Sequence, residues 1–290
     1  MISDRNDRNV RFFGREGQAR LSAAHVAIVG IGGIGSHVVQ QLALLGTGRL
    51  ILIDPEELDA TNFNRYVGVR HDDPVPGTSK VWIGERIAKE INPQIQVTQV
   101  PCSLVSEDAF DAIIASDYVF GCVDGEGARL VLNELCAAYS KPYFDLASDI
   151  LSGPPPMYGG KVCIAWDGQG CLVCYGELDI AEAQTDLMRP QEAKDREDIY
   201  GVPKEALDRV GPSVVSINGV VASLAVTEFM LAVSGVRSTP RRMLRYRAHM
   251  GIVSHESDDP APDCYYCKGI RGKGEEVDLY RYLRGETSGA

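Results

Sequence analysis

Short apolar runs alternate with stretches of helical spacing through the first half of the chain. His25–Gly30, Arg49–Asp54, Asp117–Val123 and Pro142–Leu146 have the near-continuous apolar character of strands buried on both faces, and Gln94–Val100 alternates. Between them, apolar residues recur at helical intervals over Ser36–Leu45, Lys80–Ile91, Ser106–Ala115 and Glu126–Tyr139. Asn92-Pro93 stops the second of these helices, and Ser106 opens the third as an N-cap. Beyond Ser148 the pattern changes. Leu151–Gly160 is rich in Gly and Pro and ends the series, Lys161–Trp166 is expected to be an antiparallel strand, and Arg241–His255 one or two more. Gly176–Arg209, charged and weakly periodic, is expected to be an exposed crossing segment with short helices. Ser213–Val233 is long enough to raise a membrane question. However, it contains Ser216, Asn218, Ser223, Thr227 and Glu228, and its small residues suit close packing, so a buried core helix is expected.

Strands alternating with helices predict the fold class: α/β, a Rossmann-like, mainly parallel sheet flanked by helices and continued by antiparallel strands. The first βα turn sharpens this. Gly30-Ile31-Gly32-Gly33-Ile34-Gly35 separates strand from helix, and the next strand ends on Asp54, a little over twenty residues after Gly30. Gly30, Gly32, Gly33 and Gly35 would let backbone approach a phosphate at the helix N-terminus, and Asp54 suits a ribose hydroxyl. This motif alone does not separate NAD from ATP. After Asp54 comes the long loop PEELDATNFNRYVGVRHDDPVPGTSK; loops of this length inside a compact domain usually carry function. The expected division is an N-terminal arm over 1–22, a nucleotide-binding part over 23–150, a C-terminal part over 151–270 and a tail over 271–290. The arm is polar and arginine-rich, a lead-in helix in expectation, and Gly272–Ala290 is expected to be partly frayed.

Composition changes the picture in two ways. A formal charge of −11 over 290 residues argues against nucleic acid as a partner, because phosphate neutralisation needs a basic surface. The eight cysteines include Cys171-x-x-Cys174 and Cys264-x-x-Cys267. With a polar N-terminus that lacks a signal-peptide pattern, such pairs point to a reducing, cytoplasmic compartment and to one closed four-thiolate zinc site. Cys102, Cys122, Cys136 and Cys163 lie on apolar strands or helix faces and are expected in the core.

From Gly14 to about Cys267 the chain resembles the ubiquitin-activating-enzyme-like adenylyltransferases, the ThiF/MoeB/HesA group. Five segments carry the resemblance: EGQARL, GIGGIG, DPEELDATNFNR, GTSK and GCVDGEGARLVLN; the two cysteine pairs stand where that group keeps zinc. The resemblance implies that the four glycines cradle ATP and Asp54 holds its ribose. It implies that Asn62, Arg65 and Lys80 meet the triphosphate, that Asp124 serves Mg²⁺ and the reacting phosphate, and that Arg129 and Asn133 support them. Arg11, with Arg8 as the alternative, matches an arginine that reaches the partner's ATP site in a homodimer.

The implied activity is ATP- and Mg²⁺-dependent adenylation of a carboxylate, foremost the C-terminal glycine of a small ubiquitin-like or sulfur-carrier protein. A ribosomal peptide's C-terminus is a second substrate class. An NAD-dependent oxidoreductase and a non-catalytic nucleotide-binding partner subunit are the readings outside it. Three departures from the group stand out. Gly125 follows Asp124 where the group usually has Asn; Gly176–Val215 contains no cysteine to form a thioester; and Asp145 and Asp149 are acids for which the sequence offers no functional account.

Overall fold

The computed structural model describes residues 4–151, 154–188, 212–256 and 259–284. One eight-stranded sheet has the order β3-β2-β1-β4-β5-β6-β7-β8. Strands β1 (His25–Val29), β2 (Arg49–Ile53), β3 (Gln96–Val100), β4 (Tyr118–Gly121) and β5 (Tyr143–Leu151) pair in parallel; β6 (Met157–Ala165), β7 (Met243–Arg247) and β8 (Ile252–Glu256) continue antiparallel. The Gly/Pro-rich stretch does not end at Gly160 as expected. Ladder pairing with β5 and β7 draws Met157–Gly160 into β6 and extends β5 to Leu151, tertiary pairing overriding weak local propensity.

Alternation along the strands sends side chains to two cores. Val26 and Ile28 face helices α1 (Asp7–Ala23), α2 (Gly33–Leu45), α3 (Lys80–Ile91) and the long helix α7 (Val215–Ser234). Ala27 and Val29 face α4 (Glu107–Ile114), α5 (Glu126–Ala138) and the C-terminal tail. Helix α6 (Ile180–Asp186) opens the crossing segment and packs on α5; residues 189–211, which hold most of that segment, lie outside the described residues. By length and composition α7 would pass for a membrane span, yet Val221, Ala222, Ala225, Val226 and Phe229 are buried against the sheet and α2. Phe229 meets Phe120 and Phe144 edge-on, with centroids at 5.6 and 6.0 Å, while those two rings stack at 4.6 Å.

Up to Arg284 the tail is ordered where fraying is expected, and 285–290 lie outside the described residues. Val277 and Leu279 are buried in the second core, Tyr282 Oη donates to Glu134 Oε2 at 2.6 Å, and Arg284 N–H donates to the Val105 carbonyl at 2.9 Å. Two apolar residues in a charged stretch are too weak a periodic signal to predict, but they bury enough surface to order their neighbours.

Phe229→Ala removes a fully buried ring shared by α7, β4 and β5, so we expect about 3–5 kcal/mol of lost stability. Urea unfolding checks it; a loss below about 1 kcal/mol would contradict the packing described.

Candidate active site

β1 and β4 are neighbours, but β1 leads towards β2 on one side and β4 towards β5 on the other, so a crevice opens at their C-terminal ends. The glycine turn leaves β1 there. Gly30 has φ +85°, and a Cβ on it would lie 2.6 Å from the Cys122 carbonyl oxygen; a Cβ on Gly35 would lie 2.0 Å from the Gly30 oxygen. Only glycine permits both contacts. Helix α2 then starts with Gly32 as N-cap and no side chain capping its first amides. Free amides at a positive helix end are the arrangement that suits an anion.

Asp54 ties this turn to the end of β2. The Ile31 N–H donates to Oδ2 at 2.6 Å and the Glu56 N–H to Oδ1 at 2.8 Å. Burial pushes the carboxyl up in pKa, while the Glu56 N–H, the Lys80 charge and the Ile31 N–H pull it back. Each carboxylate oxygen retains acceptor capacity for a hydroxyl.

The long loop is folded rather than structureless. Leu58 N–H donates to the Thr78 carbonyl at 2.7 Å, Lys80 N–H to the Glu56 carbonyl at 3.0 Å, and Tyr66 Oη to the Lys80 carbonyl at 2.9 Å. These bonds close the loop and present its polar residues. Lys80 is buried and ion-paired with Glu56. Asn62 completes a capping box, its Oδ1 accepting from the Asp59 N–H at 3.0 Å. Arg65 donates to the Thr61 carbonyl and to Asn64 Oδ1, and its Cγ lies 3.5 Å from the point a Gly33 Cβ would occupy. Arg65 therefore stands beside the open turn of α2.

Asp124 follows β4 by three residues and is exposed, and the Cys122 N–H bond to the Val29 carbonyl at 2.8 Å keeps that strand end beside the glycine turn. Arg129 and Asn133 face inward. Arg129 forms a buried bidentate pair with Asp145, Nε to Oδ1 at 3.0 Å, and also reaches Glu126. Burial works against the Arg129 charge, but the Asp145 hydrogen bonds and charge outweigh it and hold the guanidinium ionised. Asp145 thus has a structural account: it anchors α5 to β5. Asp149 is exposed farther along β5. Asn133 Oδ1 accepts from the Leu172 N–H at 3.2 Å, linking α5 to the first cysteine pair.

Two residues outside every motif also reach the site. The buried Asn218 places its Nδ2 2.5 Å from a notional Gly33 Cβ, and Asp186 accepts from the Gly127 N–H at 3.0 Å. Gly125-x-Gly127 was the one sequence signal for the second, since paired glycines at a helix start allow another element to approach. Arg11 lies apart from this group: it is exposed on α1, pairing with Asp7 at 2.8 Å.

The four paired cysteines converge from the two ends of the C-terminal half. Their sulfurs lie within 4.8 Å of one another, with Cys171–Cys174 at 3.8 Å, Cys171–Cys264 at 3.7 Å and Cys174–Cys267 at 3.6 Å. A tetrahedral ion with about 2.3 Å metal–sulfur bonds requires S···S edges of about 3.8 Å, so the donor set fits zinc. Burial opposes ionisation of Cys171 and of Cys267, whose thiol is pushed up to about 12, and a bound dication reverses that penalty. Of the other cysteines, Cys136 and Cys163 are buried as expected, whereas Cys102 and Cys122 are half-buried. Burial, aided by the Asp145 charge, pushes the Cys122 thiol up and makes it a poor nucleophile.

The ThiF family profile matches residues 5–266. The chain is similar to a Drosophila yakuba protein named adenylyltransferase and sulfurtransferase MOCS3, 27% identical over 262 residues that cover 88% of this chain and 51% of that protein. It is also similar to the vegetative HesA protein of Trichormus variabilis, 36% identical over 138 residues covering 47% of this chain and 51% of that one. The SAMP-activating enzyme E1 of Haloferax volcanii is 33% identical over 123 residues, covering 42% and 45%. The chain thus spans about half the length of these relatives. Among solved structures, Escherichia coli MccB with ATP superposes with a TM-score of 0.68 at 22% identity, covering 91% of this chain and 74% of that one. The microcin C7 biosynthetic enzyme MccB in complex with N-formylated MccA gives 0.71 at 22% identity, covering 92% and 75%.

If one zinc joins the two cysteine pairs, the purified protein should hold about one zinc per chain, and Cys171→Ser or Cys264→Ser should lower metal content and melting temperature together. Elemental analysis with thermal melts is the measurement; full occupancy in both variants would refute a shared site.

Proposed function

Because this chain belongs to the ThiF family, we propose that it is an adenylyltransferase that activates a carboxylate with ATP. The observation that carries this reading is the uncapped start of α2, with Arg65 beside it, Asp54 after β2, and Lys80 at the start of α3 with its charge acting on Asp54. In the reaction a carboxylate oxygen attacks the α-phosphorus, the bond to the β-phosphate oxygen breaks, and pyrophosphate leaves behind an acyl-adenylate. Charge builds on phosphate oxygens, so fixed cations and oriented amides serve the transition state better than a general base. Gly30, Gly32, Gly33 and Gly35 with the α2 amides cradle the phosphates, Asp54 accepts from the ribose, and Asn62, Arg65 and Lys80 bind the triphosphate. Lys80 exchanges its pairing with Glu56 for phosphate oxygens. Asp124 would hold Mg²⁺, which when bound offsets phosphate charge.

The substrate we favour is the C-terminal glycine of a small ubiquitin-like or sulfur-carrier protein. A polypeptide partner is supported by the sheet edge: among the described residues β8 pairs on one side only, and it exposes Ile252 and Val253, with Met250, Met157 and Leu151 exposed nearby. Apolar edges of this kind favour a polypeptide over a small acid. The shorter peptide substrate uses the same chemistry and is separated by which carboxylate drives exchange. No cysteine occurs over 176–215, so the reading stops at the acyl-adenylate without a thioester on that segment. The reducing cytoplasm is the compartment that suits four zinc-bound thiolates.

Carboxylate-dependent ATP–pyrophosphate exchange tests the reading. Arg65→Ala and Asp124→Ala should lower it at least a hundredfold, about the cost of removing one charge-stabilising group, while Asp54→Ala should chiefly raise the ATP concentration required. Unchanged exchange in Asp124→Ala would remove that residue from the metal site. A nicotinamide absorbance change in place of exchange would return the protein to the oxidoreductases.

The exposed Arg11 is proposed to act in a homodimer, completing the partner's ATP site. Mixing Arg11→Ala subunits with Lys80→Ala subunits should then restore part of the activity, because one of the mixed sites carries neither change. An active monomer in sedimentation would count against it.

A further inference from the structure

We propose that Asp186, at the end of α6, is a positioning residue: it caps α5 from the crossing segment and thereby leaves Asp124 free for a divalent cation. The proposal rests on the adenylation reading for the role of Asp124. Helix α5 begins directly after that acid, with Gly125 as N-cap and no side-chain cap of its own. An uncapped start leaves unsatisfied N–H groups and a positive helix end, which draw any adjacent carboxylate. Asp124 is adjacent, yet it is exposed and accepts no hydrogen bond from the described residues. The Gly127 N–H instead donates to Asp186 Oδ2 at 3.0 Å.

The approach is built into both elements. Asp186 Cβ lies 2.8 Å, and Leu187 Cγ 3.1 Å, from where a Cβ on Gly127 would stand, and Asp186 Oδ2 lies 3.6 Å from a Cβ on Gly125. A side chain at 127 would push α6 away. Two further bonds hold α6: the Asp179 N–H donates to Glu126 Oε2 at 2.9 Å, and Arg284 Nη2 donates to the Leu187 carbonyl at 2.8 Å. A helix is usually capped by its own Ser, Thr, Asp or Asn. Here Gly125 gives up that task and a carboxylate from another element performs it. The glycine that interrupts the resemblance at this position is therefore matched by a compensating acid some sixty residues on.

The test is Mn²⁺ binding, read by electron paramagnetic resonance, to protein saturated with a non-hydrolysable ATP analogue. Asp186→Ala should weaken Mn²⁺ about fivefold, equivalent to about 1 kcal/mol at 1.4 kcal/mol per decade. Asp186→Asn keeps an acceptor for the Gly127 N–H and should stay within about twofold. Adding Gly125→Asn to Asp186→Ala supplies a local cap in the vacated space and should recover wild-type affinity. Wild-type Mn²⁺ binding in Asp186→Ala overturns the proposal, as does an equal loss in Asp186→Asn, which would mean charge rather than capping. If Asp186→Ala does not fold, the double variant decides: recovery of fold and affinity supports the proposal, and failure to recover overturns it. Pyrophosphate exchange by the unaltered protein is scored separately. Its absence removes the adenylation reading while the Mn²⁺ series still tests the cap.

Discussion

The close approach of Gly30 and Gly35 at the end of β1 is the constraint on which the rest of the site depends. With 2.0 Å between a notional Gly35 Cβ and the Gly30 oxygen, no other residue lets α2 begin so near its strand. That placement aims the open helix N-terminus into the β1/β4 crevice. It also brings the Ile31 amide within 2.6 Å of Asp54, so the acid that ends β2 and the glycine turn stabilise each other. The long loop then needs only to close over this point, which its backbone bonds from Leu58 to Thr78 and from Lys80 to Glu56 accomplish.

The opposite face of the sheet is organised by polar contacts in the interior. The bidentate Arg129–Asp145 pair fixes α5 against β5, and leaving either charge alone there would be costly. From the same helix, Asn133 holds the first cysteine pair and Glu134 holds Arg281 and Tyr282 of the tail. The four-cysteine cluster, the tail and the entry to the crossing segment therefore all refer back to α5. Asp124 sits two residues before that helix, so its setting is shared with all three.

The two helix starts in the crevice differ in a way that assigns them different tasks. The start of α2 has no side-chain cap and is free to receive an anion. The start of α5 is occupied by Asp186. One positive helix end is thus left open to the crevice, and the other has its Gly127 amide satisfied internally.

Much of this protein was determined by local sequence. The glycine spacing, the buried β-branched runs, the acid ending β2 and the paired cysteines each impose their structure through backbone sterics, burial or ligand chemistry that does not depend on distant residues. Helix α3 begins and ends where its spacing and its Asn92-Pro93 stop place it, and Ser106 caps α4 as its position implies. What only the tertiary structure decided involves residues whose partners lie far away in the chain. Asp145 became an ion-pair partner through β5 lying over α5, Val277 and Leu279 became core through the tail crossing α5, and Met157–Gly160 became strand through pairing with β5, joined by β7 from Gly159 onward. Asp186 reaches Gly127 across fifty-nine residues. A buried polar contact or a short tertiary strand has no periodicity of its own, because its free energy comes from the partner that burial brings to it.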